Sequence, residues 1–444
     1  MMTYRSILCL ALAPLAVAAC SASTEGTGTT SEEISAACGH AAGSHARSTL
    51  SNVPDHIPIK HIIIVMQENR SFDHMLGALR LLGKDVDGIP AGFVNHDAKN
   101  QPVHFAHRTD TCFDADSPHN EEAMESSIDG EHMDSFVKSA TTKSSDGHYV
   151  MSYYTQQELP FYYFLASSYA TSDRYFSAMI GPTDPNRDFM YAATSNGITV
   201  TSSGPQKKFK GVRTIYDELD NAKISWGVYS SGPPRQGAIG WDRGHKGVHD
   251  EGAFFDALED DKLPQVVFVD PGLHEDEHPP HDVQLGEKFS KKIYDAVTKS
   301  RAWPSTALFY TYDEAGGVAD HVPPPAACPP SAQFPTFDRL GVRVPVMLVS
   351  PYAKRGYVSH QVHSHTSILR FVELVFDLPA LTARDANADA MLDMFDFATA
   401  VPPKAGAPSA GHGACKGDPS ENWATDIGQD AANDWDKLRH GWWP

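Results

Sequence analysis

The sequence predicts an α/β fold in which a parallel sheet is covered by helices on both faces. The first observation is the apolar run His61 to Met66, which is mostly β-branched. Such a run is too short for a helix and is typical of a strand buried on both faces. The second observation is that similar short runs alternate with segments of helical periodicity, which is the pattern of βαβ units.

The remaining elements follow from the same two patterns. Apolar runs predict further strands at 224–229, 266–269, 307–312 and 344–349. Helical periodicity falls at 75–82, which Gly83 closes, and at 188–195, 252–260, 287–299 and 367–376. Residues 84–160 are polar, aromatic and irregular, and they predict an insertion over the sheet edge that could form a lid. No internal repeat and no second segment with its own core is evident.

The N-terminus has the pattern of an export signal. Arg5 precedes an apolar stretch from Ile7 to Ala19 that is too short to span a membrane stably. The ending Val17-Ala18-Ala19-Cys20 is similar to a bacterial lipoprotein signal, whose cysteine is lipidated after cleavage. We therefore predict a signal at 1–20 and a lipid anchor on Cys20 rather than a transmembrane helix. The chain would be held at the outer membrane or cell surface; a plain signal would make it periplasmic or secreted.

The two ends of the mature chain have the composition of linkers. Residues 21–57 are rich in Ser, Thr, Gly and Ala, which is typical of a flexible tether. Residues 400–444 form a tail in which Pro, Gly and Ala dominate before the Trp-rich end.

Composition limits the classes of partner. The formal net charge is −20, which argues against a protein that binds the phosphate backbone of nucleic acids. Four cysteines remain after the signal and predict two disulfides in an exported chain. Of the three possible connectivities we favour Cys112 with Cys328, and Cys38 with Cys415.

Chemically active residues crowd directly behind the first strand, from Glu68 to His74. In open α/β sheets the ligand crevice lies beyond the carboxyl ends of the strands, where this turn would fall. The alternative is an ordinary turn in which Ser71 or Asp73 caps a helix. One cap needs only one such residue, so a functional site is the better interpretation.

A second group is Thr183-Asp184-Pro185-Asn186-Arg187, which opens a predicted helix. Proline fits the first turn, so Thr183 would lie at the N-terminal end, where free N–H groups favour a phosphate or oxyanion. A hydroxyl there can attack if a cation or base activates it. The alternative is that Thr183 or Asp184 only caps the helix.

A third group is Asp313-Glu314, which follows a strand and precedes two glycines. Adjacent carboxylates repel unless a cation or protons compensate them. With Glu68 and Asn69 they offer oxygen ligands only, which favours one hard divalent ion such as Ca²⁺, Mg²⁺ or Mn²⁺. A solvated acidic turn is the alternative.

The fourth group is the loop from Glu275 to Asp282, which holds His278 and His281 around two prolines. Neutral imidazoles can bind a metal, and protonated ones can hold a phosphoryl group and protonate a leaving oxygen. A surface loop with solvated histidines is the alternative.

Together these motifs resemble the phosphoesterase family of bacterial and plant non-specific phospholipase C and related acid phosphatases. The resemblance rests on ENRSFDH, TDPNR, EHPPHD and DEAGGVADHVPPP, in that order, and covers nearly all of 58–399. It implies a catalytic domain over those residues. It also implies an alkaline-phosphatase-like fold, a three-layer α/β/α sandwich with a mostly parallel central sheet.

The resemblance also implies roles for individual residues. Glu68, Asn69, Asp313 and Glu314 match metal ligands, and Thr183 matches the nucleophile. His278 matches a histidine that contacts the phosphoryl group, and His119 in the stretch 117–120 matches another. His281 and His321 stand at motif positions and are predicted to be catalytic, while Asn186 and Arg187 are predicted to bind substrate. Relatives often carry an acid where Ser364 stands, so His365 receives no role.

The predicted function is metal-assisted hydrolysis of a phosphoric ester through a phospho-threonine intermediate. A phospholipid is favoured as substrate because the aromatic stretch 153–164 could form an apolar rim, although it could equally be core. One alternative is an acid phosphatase that acts on small phosphomonoesters. Another is a non-catalytic surface-binding lipoprotein, against which the intact set of site residues argues.

Overall fold

A computed structural model describes residues 38–113, 115–143, 145–201, 211–232, 247–411 and 415. The predicted signal at 1–20, the lipid anchor on Cys20 and the Trp-rich end lie outside the described residues. Residues 21–37 of the predicted tether, 21–57, lie outside them too, whereas 38–57 are described and include a short helix at Ala46–Thr49. No helix among the described residues is both long and apolar enough to cross a membrane.

The strands are, in chain order, β1 (His61–Gln67), β2 (Val94–His96), β3 (Pro102–His104), β4 (Ala106–His107), β5 (Ser152–Tyr153), β6 (Ala170–Ser172), β7 (Tyr175–Phe176), β8 (Trp226–Ser230), β9 (Val248–Asp250), β10 (Val266–Asp270), β11 (Thr306–Tyr312), β12 (Val346–Val349), β13 (Tyr357–Ser359) and β14 (His363–Ser364). Eight of them form the central sheet, in the order β13-β6-β12-β11-β1-β10-β8-β9. Only β12 runs antiparallel to its neighbours β11 and β6. The predicted, mostly parallel sheet is therefore confirmed.

The α-helices are α1 (Ala46–Thr49), α2 (Phe72–Met75), α3 (Glu121–Ile128), α4 (Phe136–Ala140), α5 (Pro160–Ser168), α6 (Thr183–Ala192), α7 (Ile215–Ala222), α8 (Glu251–Glu259), α9 (Val283–Lys299), α10 (His365–Phe376) and α11 (Ala383–Ala386). Short 3₁₀ helices cover Gly77–Leu82, His148–Met151, Trp303–Ser305 and Leu392–Met394. Helix α9 packs on α5 and α8, whereas α6 packs on α7 and α10. These two groups of helices sandwich the sheet, which confirms the three-layer α/β/α prediction.

The centre of the sheet positions the site. Residues Ile62 to Met66 of β1 are all buried, because neighbouring strands and helices cover both faces. Strand β1 pairs in parallel with β10 and β11, and Gln67 lies opposite Tyr312. The residues that follow these strand ends therefore meet at one edge of the sheet.

The insertion at 84–160 carries short elements and a hydrophobic cluster of its own. Strands β2 and β3 form a small antiparallel pair, and β4 pairs with β5. Helices α3 and α4 bury Ile128 and Phe136 in this cluster, which also includes Val318 and Ala319 beside the third motif. A role for this segment as a lid stays a prediction.

Both predicted disulfides are present, but their predicted pairing is wrong. Cys38 pairs with Cys328 and Cys112 with Cys415, and the paired Cα atoms are 5.5 and 5.1 Å apart. The loop around Cys328 packs on the N-terminal segment, while the C-terminal segment reaches Cys112. The spacing of the cysteines along the chain could not predict this pairing, because each disulfide joins residues about 300 positions apart.

The ends of two helices differ from the predicted ends. Residues 75–82 divide between α2 and a 3₁₀ helix, and Gly83 ends it with φ of 72°. Helix α6 starts at Thr183 and ends at Ala192, earlier at both ends than the pattern indicated.

Candidate active site

Two strand ends bring together the carboxylates and the amide of the first and third motifs. Glu68 and Asn69 follow β1, and Asp313 and Glu314 follow β11. The backbone N–H of Asn69 donates to Oδ1 of Asp313 over 3.2 Å, which ties the two turns together. All four side chains are at most 1% exposed. The four predicted metal ligands thus lie in one buried cluster.

The geometry of these turns explains the paired glycines. Asn69 has a left-handed backbone with φ of 60°, a conformation that asparagine tolerates better than most residues. A Cβ on Gly316 would come within 2.7 Å of Asn69, and one on Gly317 within 2.6 Å of Ser117 Oγ. Both glycines also have positive φ. Only residues without side chains allow the turn to lie this close to Asn69 and Ser117.

Thr183 lies at the first position of α6, as predicted, and its hydroxyl reaches the same cluster. Its Oγ1 donates to Oδ1 of Asn69 over 3.4 Å, and the residue is 7% exposed. The N-cap residue Pro182 provides no side-chain cap, and the N–H of Asp184 donates to Thr201 Oγ1 over 3.3 Å. The positive end of the helix dipole at Thr183 favours a bound anion. The hydroxyl therefore lies between the side chain of Asn69 and the N-terminal end of α6.

Asn186 and Arg187 lie beneath Thr183 and build the site. The amide nitrogen of Asn186 donates to the carbonyls of Gly181 and Pro182 over 2.9 and 3.0 Å, which shapes the turn before α6. The guanidinium of Arg187 is fully buried and bonds Asp313, Glu68 and Asp270, as described next. Their predicted contact with substrate stays a prediction.

Arg187 joins the strand ends electrostatically. Its Nε donates to Asp313 over 3.0 Å, and its two terminal nitrogens donate to Glu68 over 3.2 Å and to Asp270 over 3.4 Å. Asp270 ends β10 and was missed from sequence as a site residue, although its position at a strand end was a usable signal. Burial acts to lower the pKa of Arg187, but Asp313 and Glu68 outweigh it and raise the pKa well above its usual value.

Two histidines face this cluster from other segments. Nδ1 of His119 donates to the carbonyl of Ser117 over 2.7 Å, and Nδ1 of His278 donates to that of Pro279 over 2.6 Å. Because a carbonyl only accepts, a proton is held on Nδ1 in both rings. Nε2 of His119 faces the cluster, 3.7 Å from Glu314. Their ring centroids are 5.8 Å apart. The amide nitrogen of Asn69 lies 3.4 Å from Nε2 of His119.

The charges of the cluster do not cancel. Three buried carboxylates, those of Glu68, Asp270 and Asp313, bond the guanidinium of Arg187, and a fourth, that of Glu314, is buried in the same cluster without bonding it. Burial raises the pKa of Glu314 to about 8, which shows that its negative charge is costly here. Burial acts to lower the pKa of His119, but Glu314 and Asp116 outweigh it and raise the pKa to about 9. The cluster therefore attracts positive charge.

The residues present fit a bound divalent ion. Oε1 of Glu314 is buried without a hydrogen bond in the described part of the chain and lies 3.7 Å from Nε2 of His119. The oxygen donors match a hard cation. Asp116, His119 and His278 also offer ligand atoms within 4.8 Å of one another. Candidate metal-binding groups are thus present, and they do not identify the metal.

His281 lies in the same loop as His278 and is held by an aspartate that sequence reasoning missed. Nδ1 of His281 bonds Oδ1 of Asp276 over 2.7 Å, and that oxygen also accepts the backbone N–H of His278 over 3.2 Å. The carbonyl of Asp276 accepts the N–H of Glu68 over 2.8 Å. Asp276 thus connects three site residues; in the sequence it was one acid within an acidic run.

His321 belongs to a different cluster. Its Nδ1 lies 2.6 Å from Asp73 and its Nε2 lies 3.1 Å from Asp87. Arg343 bonds Asp73 over 3.0 Å and Asp320 over 2.8 Å in the same network. The structure therefore does not bring His321 together with Thr183, and its catalytic role stays a prediction.

His365, which received no role, supports the metal-ligand turn from behind. Its Nε2 donates to the carbonyl of Asp313 over 2.7 Å, and its Nδ1 accepts from Tyr175 over 3.0 Å. Burial lowers the pKa of His365 to about 4, so this ring is neutral at pH 7. Its position at the start of α10 was visible in sequence, but its partner was not.

The aromatic stretch 153–164 is core. Tyr154, Phe161, Tyr162 and Tyr163 are at most 2% exposed, and they belong to the main hydrophobic cluster. Phe161, Tyr162 and Tyr163 belong to helix α5, which packs on α9 because most of its surface is apolar. These rings do not form a rim, so they provide no argument for a lipid substrate.

Comparisons with known proteins identify the family of the chain. A model of the phosphoesterase family matches residues 59–379. Non-specific phospholipase C6 of Arabidopsis thaliana is 32% identical over 77% of this chain and 73% of its own. Phospholipase C B of Mycobacterium tuberculosis is 29% identical over 81% of each chain. A solved protein of the alkaline phosphatase superfamily from Vibrio parahaemolyticus aligns with a TM-score of 0.42 at 11% identity, over 75% of this chain and 70% of its own.

The family match covers most of the chain and the same motifs that the structure brings together. The resemblance predicted from ENRSFDH, TDPNR and the two loop motifs is therefore confirmed. The chain belongs to the phosphoesterase family and is a hydrolase that acts on phosphoester bonds.

Proposed function

We propose that this hydrolase is a phospholipase C in which Thr183 attacks the phosphorus of a phospholipid. The observation that carries the proposal is the position of the Thr183 hydroxyl, at the N-terminal end of α6 and 3.4 Å from Asn69. A phosphoryl group bound there would meet the N–H groups of α6 and the two histidines at once.

The chemistry follows from the protonation states of the histidines. Burial lowers the pKa of His278, which favours its neutral form, and this ring would take the proton of Thr183. The Thr183 oxygen forms a bond to phosphorus, and the bond from phosphorus to the glycerol oxygen breaks. His119, which carries a proton, stabilises the phosphoryl group and protonates the leaving alkoxide. Water then attacks the phospho-threonine, releasing the phosphorylated head group and restoring the hydroxyl.

Glu68, Asn69, Asp313 and Glu314 would hold one divalent ion, in line with their oxygen donors and buried negative charge. When bound, such an ion supplies a Lewis acid beside the Thr183 hydroxyl and the phosphoryl oxygens. Arg187 and His365 keep these ligands in place from below. Ca²⁺, Mg²⁺ and Mn²⁺ all suit the donor set.

The relatives support a diester substrate, because the two compared are named phospholipases C. We also propose export and lipid anchoring at Cys20, since the lipoprotein-like signal precedes a chain whose four remaining cysteines are paired. An anchored enzyme would act at a lipid surface. Labelled fatty acid on wild type but not on Cys20→Ser would support the anchor.

Hydrolysis of phosphatidylcholine vesicles beside p-nitrophenyl phosphate tests the function, with and without EDTA. We expect rapid diacylglycerol release, poor monoester turnover and loss of both in EDTA, with recovery on adding one of the three ions. Faster monoester turnover would make the chain a phosphatase. If EDTA leaves turnover unchanged, the reaction does not need a metal and that part of the proposal is wrong. If neither substrate is turned over, a binding protein is favoured.

A further inference from the structure

A second cluster of metal-binding side chains lies between β14 and the segment that follows α11. It consists of His363, Asp389 and Asp393, whose ligand atoms all lie within 4.8 Å of one another. His363 directly precedes Ser364 and His365, and the latter supports Asp313 from behind. None of the three residues takes part in the proposed reaction, so the cluster needs its own explanation.

The distances in the cluster are close to those between ligand atoms of a tetrahedral ion. Nε2 of His363 lies 3.1 Å from Oδ1 of Asp389 and 3.6 Å from Oδ1 of Asp393. Zinc bonds of about 2.0–2.2 Å place neighbouring tetrahedral ligand atoms roughly 3.3–3.6 Å apart. The 3.6 Å separation falls in this range and the 3.1 Å separation is about 0.2 Å shorter, so a small side-chain movement would let these atoms share one ion.

Unsatisfied polar atoms give a second reason. Oδ1 of Asp393 is shielded from solvent and has no hydrogen-bond partner in the described ranges, although it faces the imidazole. Its other oxygen accepts from Ser359 over 2.5 Å and from Tyr357 over 3.1 Å, which holds the carboxylate in place. A buried, oriented and unpaired oxygen is costly unless a further group binds it.

The histidine is equally constrained. The side chain of His363 is 0% exposed, and Nε2 is the ring atom that points at the two carboxylates. Asp389, in contrast, is 48% exposed on its side chain, so the cluster opens to solvent on one side. An ion could enter there, and water could complete its coordination.

We propose that His363, Asp389 and Asp393 bind one Zn²⁺ ion. An imidazole with two carboxylates suits a borderline ion better than Ca²⁺ or Mg²⁺, which prefer oxygen ligands alone. The ion would join β14 to the segment around Leu392 and so stabilise the start of α10. This site is separate from the oxygen-rich cluster at Asp313, and it does not depend on the proposed function.

Zinc stoichiometry of the full mature chain tests the proposal. After chelation and dialysis, the protein is loaded with ZnCl₂, and bound zinc is measured by mass spectrometry. Asp389→Asn should bind one zinc fewer per chain than wild type and should lose the zinc-dependent rise in melting temperature. Asp377→Asn is the matched control, because Asp377 also pairs with a histidine, His45 at 3.1 Å, but in a pair exposed on both sides.

Equal zinc content in Asp389→Asn and wild type would overturn the proposal, as would a chain that binds CaCl₂ but not ZnCl₂ at this cluster. Loss of zinc in the Asp377→Asn control as well would mean non-specific binding and would also overturn it. If Asp389→Asn does not fold, crystals of wild type soaked in ZnCl₂ decide: anomalous density at His363 supports the site, and none refutes it.

Discussion

The hydroxyl of Thr183 lies 3.4 Å from the side-chain oxygen of Asn69, although the two residues are 114 positions apart. Asn69 is placed by the end of β1 and Thr183 by the start of α6. The contact links the residue proposed to attack phosphorus with a residue proposed to hold the metal. Substitutions can test whether this arrangement is catalytic or only structural.

Replacement of Thr183 by alanine should lower the turnover rate at least about 10³-fold, because no other hydroxyl takes its place as nucleophile. The fold should persist, since the side chain makes one long hydrogen bond. Diacylglycerol release and thermal unfolding are the measurements. Thr201→Ala is the control, because Thr201 is exposed and accepts from the N–H of Asp184 beside the site. Similar activity in both variants would refute the nucleophile.

Gly316→Ala should lower both stability and activity, because its Cβ would come within 2.7 Å of Asn69. Gly406→Ala is the matched control, since Gly406 has φ of +79° and nothing within 4 Å of its Cβ. The control should lose only about 1 kcal/mol of stability, which is the cost of placing a side chain on a residue with positive φ. Denaturant unfolding and turnover of the two variants separate contact from strain, and equal losses would contradict the close-packing argument.

Asp276→Asn should lower kcat roughly 10-fold or more and leave KM nearly unchanged, because Asp276 orients His281 and His278 without facing the substrate. The control is Asp282→Asn in the same loop, where the side chain caps α9 and asparagine caps equally well. A change in KM alone would assign Asp276 to binding instead of positioning.

Glu287 should make stability fall as pH rises. Burial raises its pKa from 4.5 to about 7, and its oxygens accept the backbone N–H groups of Phe161, Tyr162 and Gly411. The raised pKa means that the folded chain binds this proton more tightly than the unfolded chain. The stabilisation is complete below pH 4.5 and is lost as pH rises to about 7.

The measurement is the free energy of unfolding between pH 4.5 and 7 for wild type and Glu287→Gln. The decline in wild type should exceed that in the variant by about 3 kcal/mol, which is 1.4 kcal/mol for each unit of the pKa shift. Other buried acids contribute to both chains, so only the difference reports on Glu287. Parallel curves would show that Glu287 is already ionised in the folded protein.

Sequence reasoning predicted the local elements and the chemically active residues well. The strands at 61–66, 266–269 and 307–312 are each found within one residue at both ends, because buried parallel strands are recognisable as short β-branched runs. The run at 344–349 also predicted β12, although the strand starts two residues later. The antiparallel direction of β12 and the short strand β6 were not predicted, since direction and neighbours depend on contacts far along the chain. The same holds for the disulfides, which join different partners from those predicted.

By itself the sequence determined which residues the site can contain, because strand ends and helix starts carry local signals. Only the tertiary structure decided which of them meet. It grouped Glu68, Asn69, Thr183, Asp313 and Glu314, supplied Asp270 and Asp276 as partners, and placed His321 elsewhere. The physical reason is that a hydrogen bond or ion pair depends on distances of about 3 Å. Such distances between remote residues arise only when the sheet and its helices pack together.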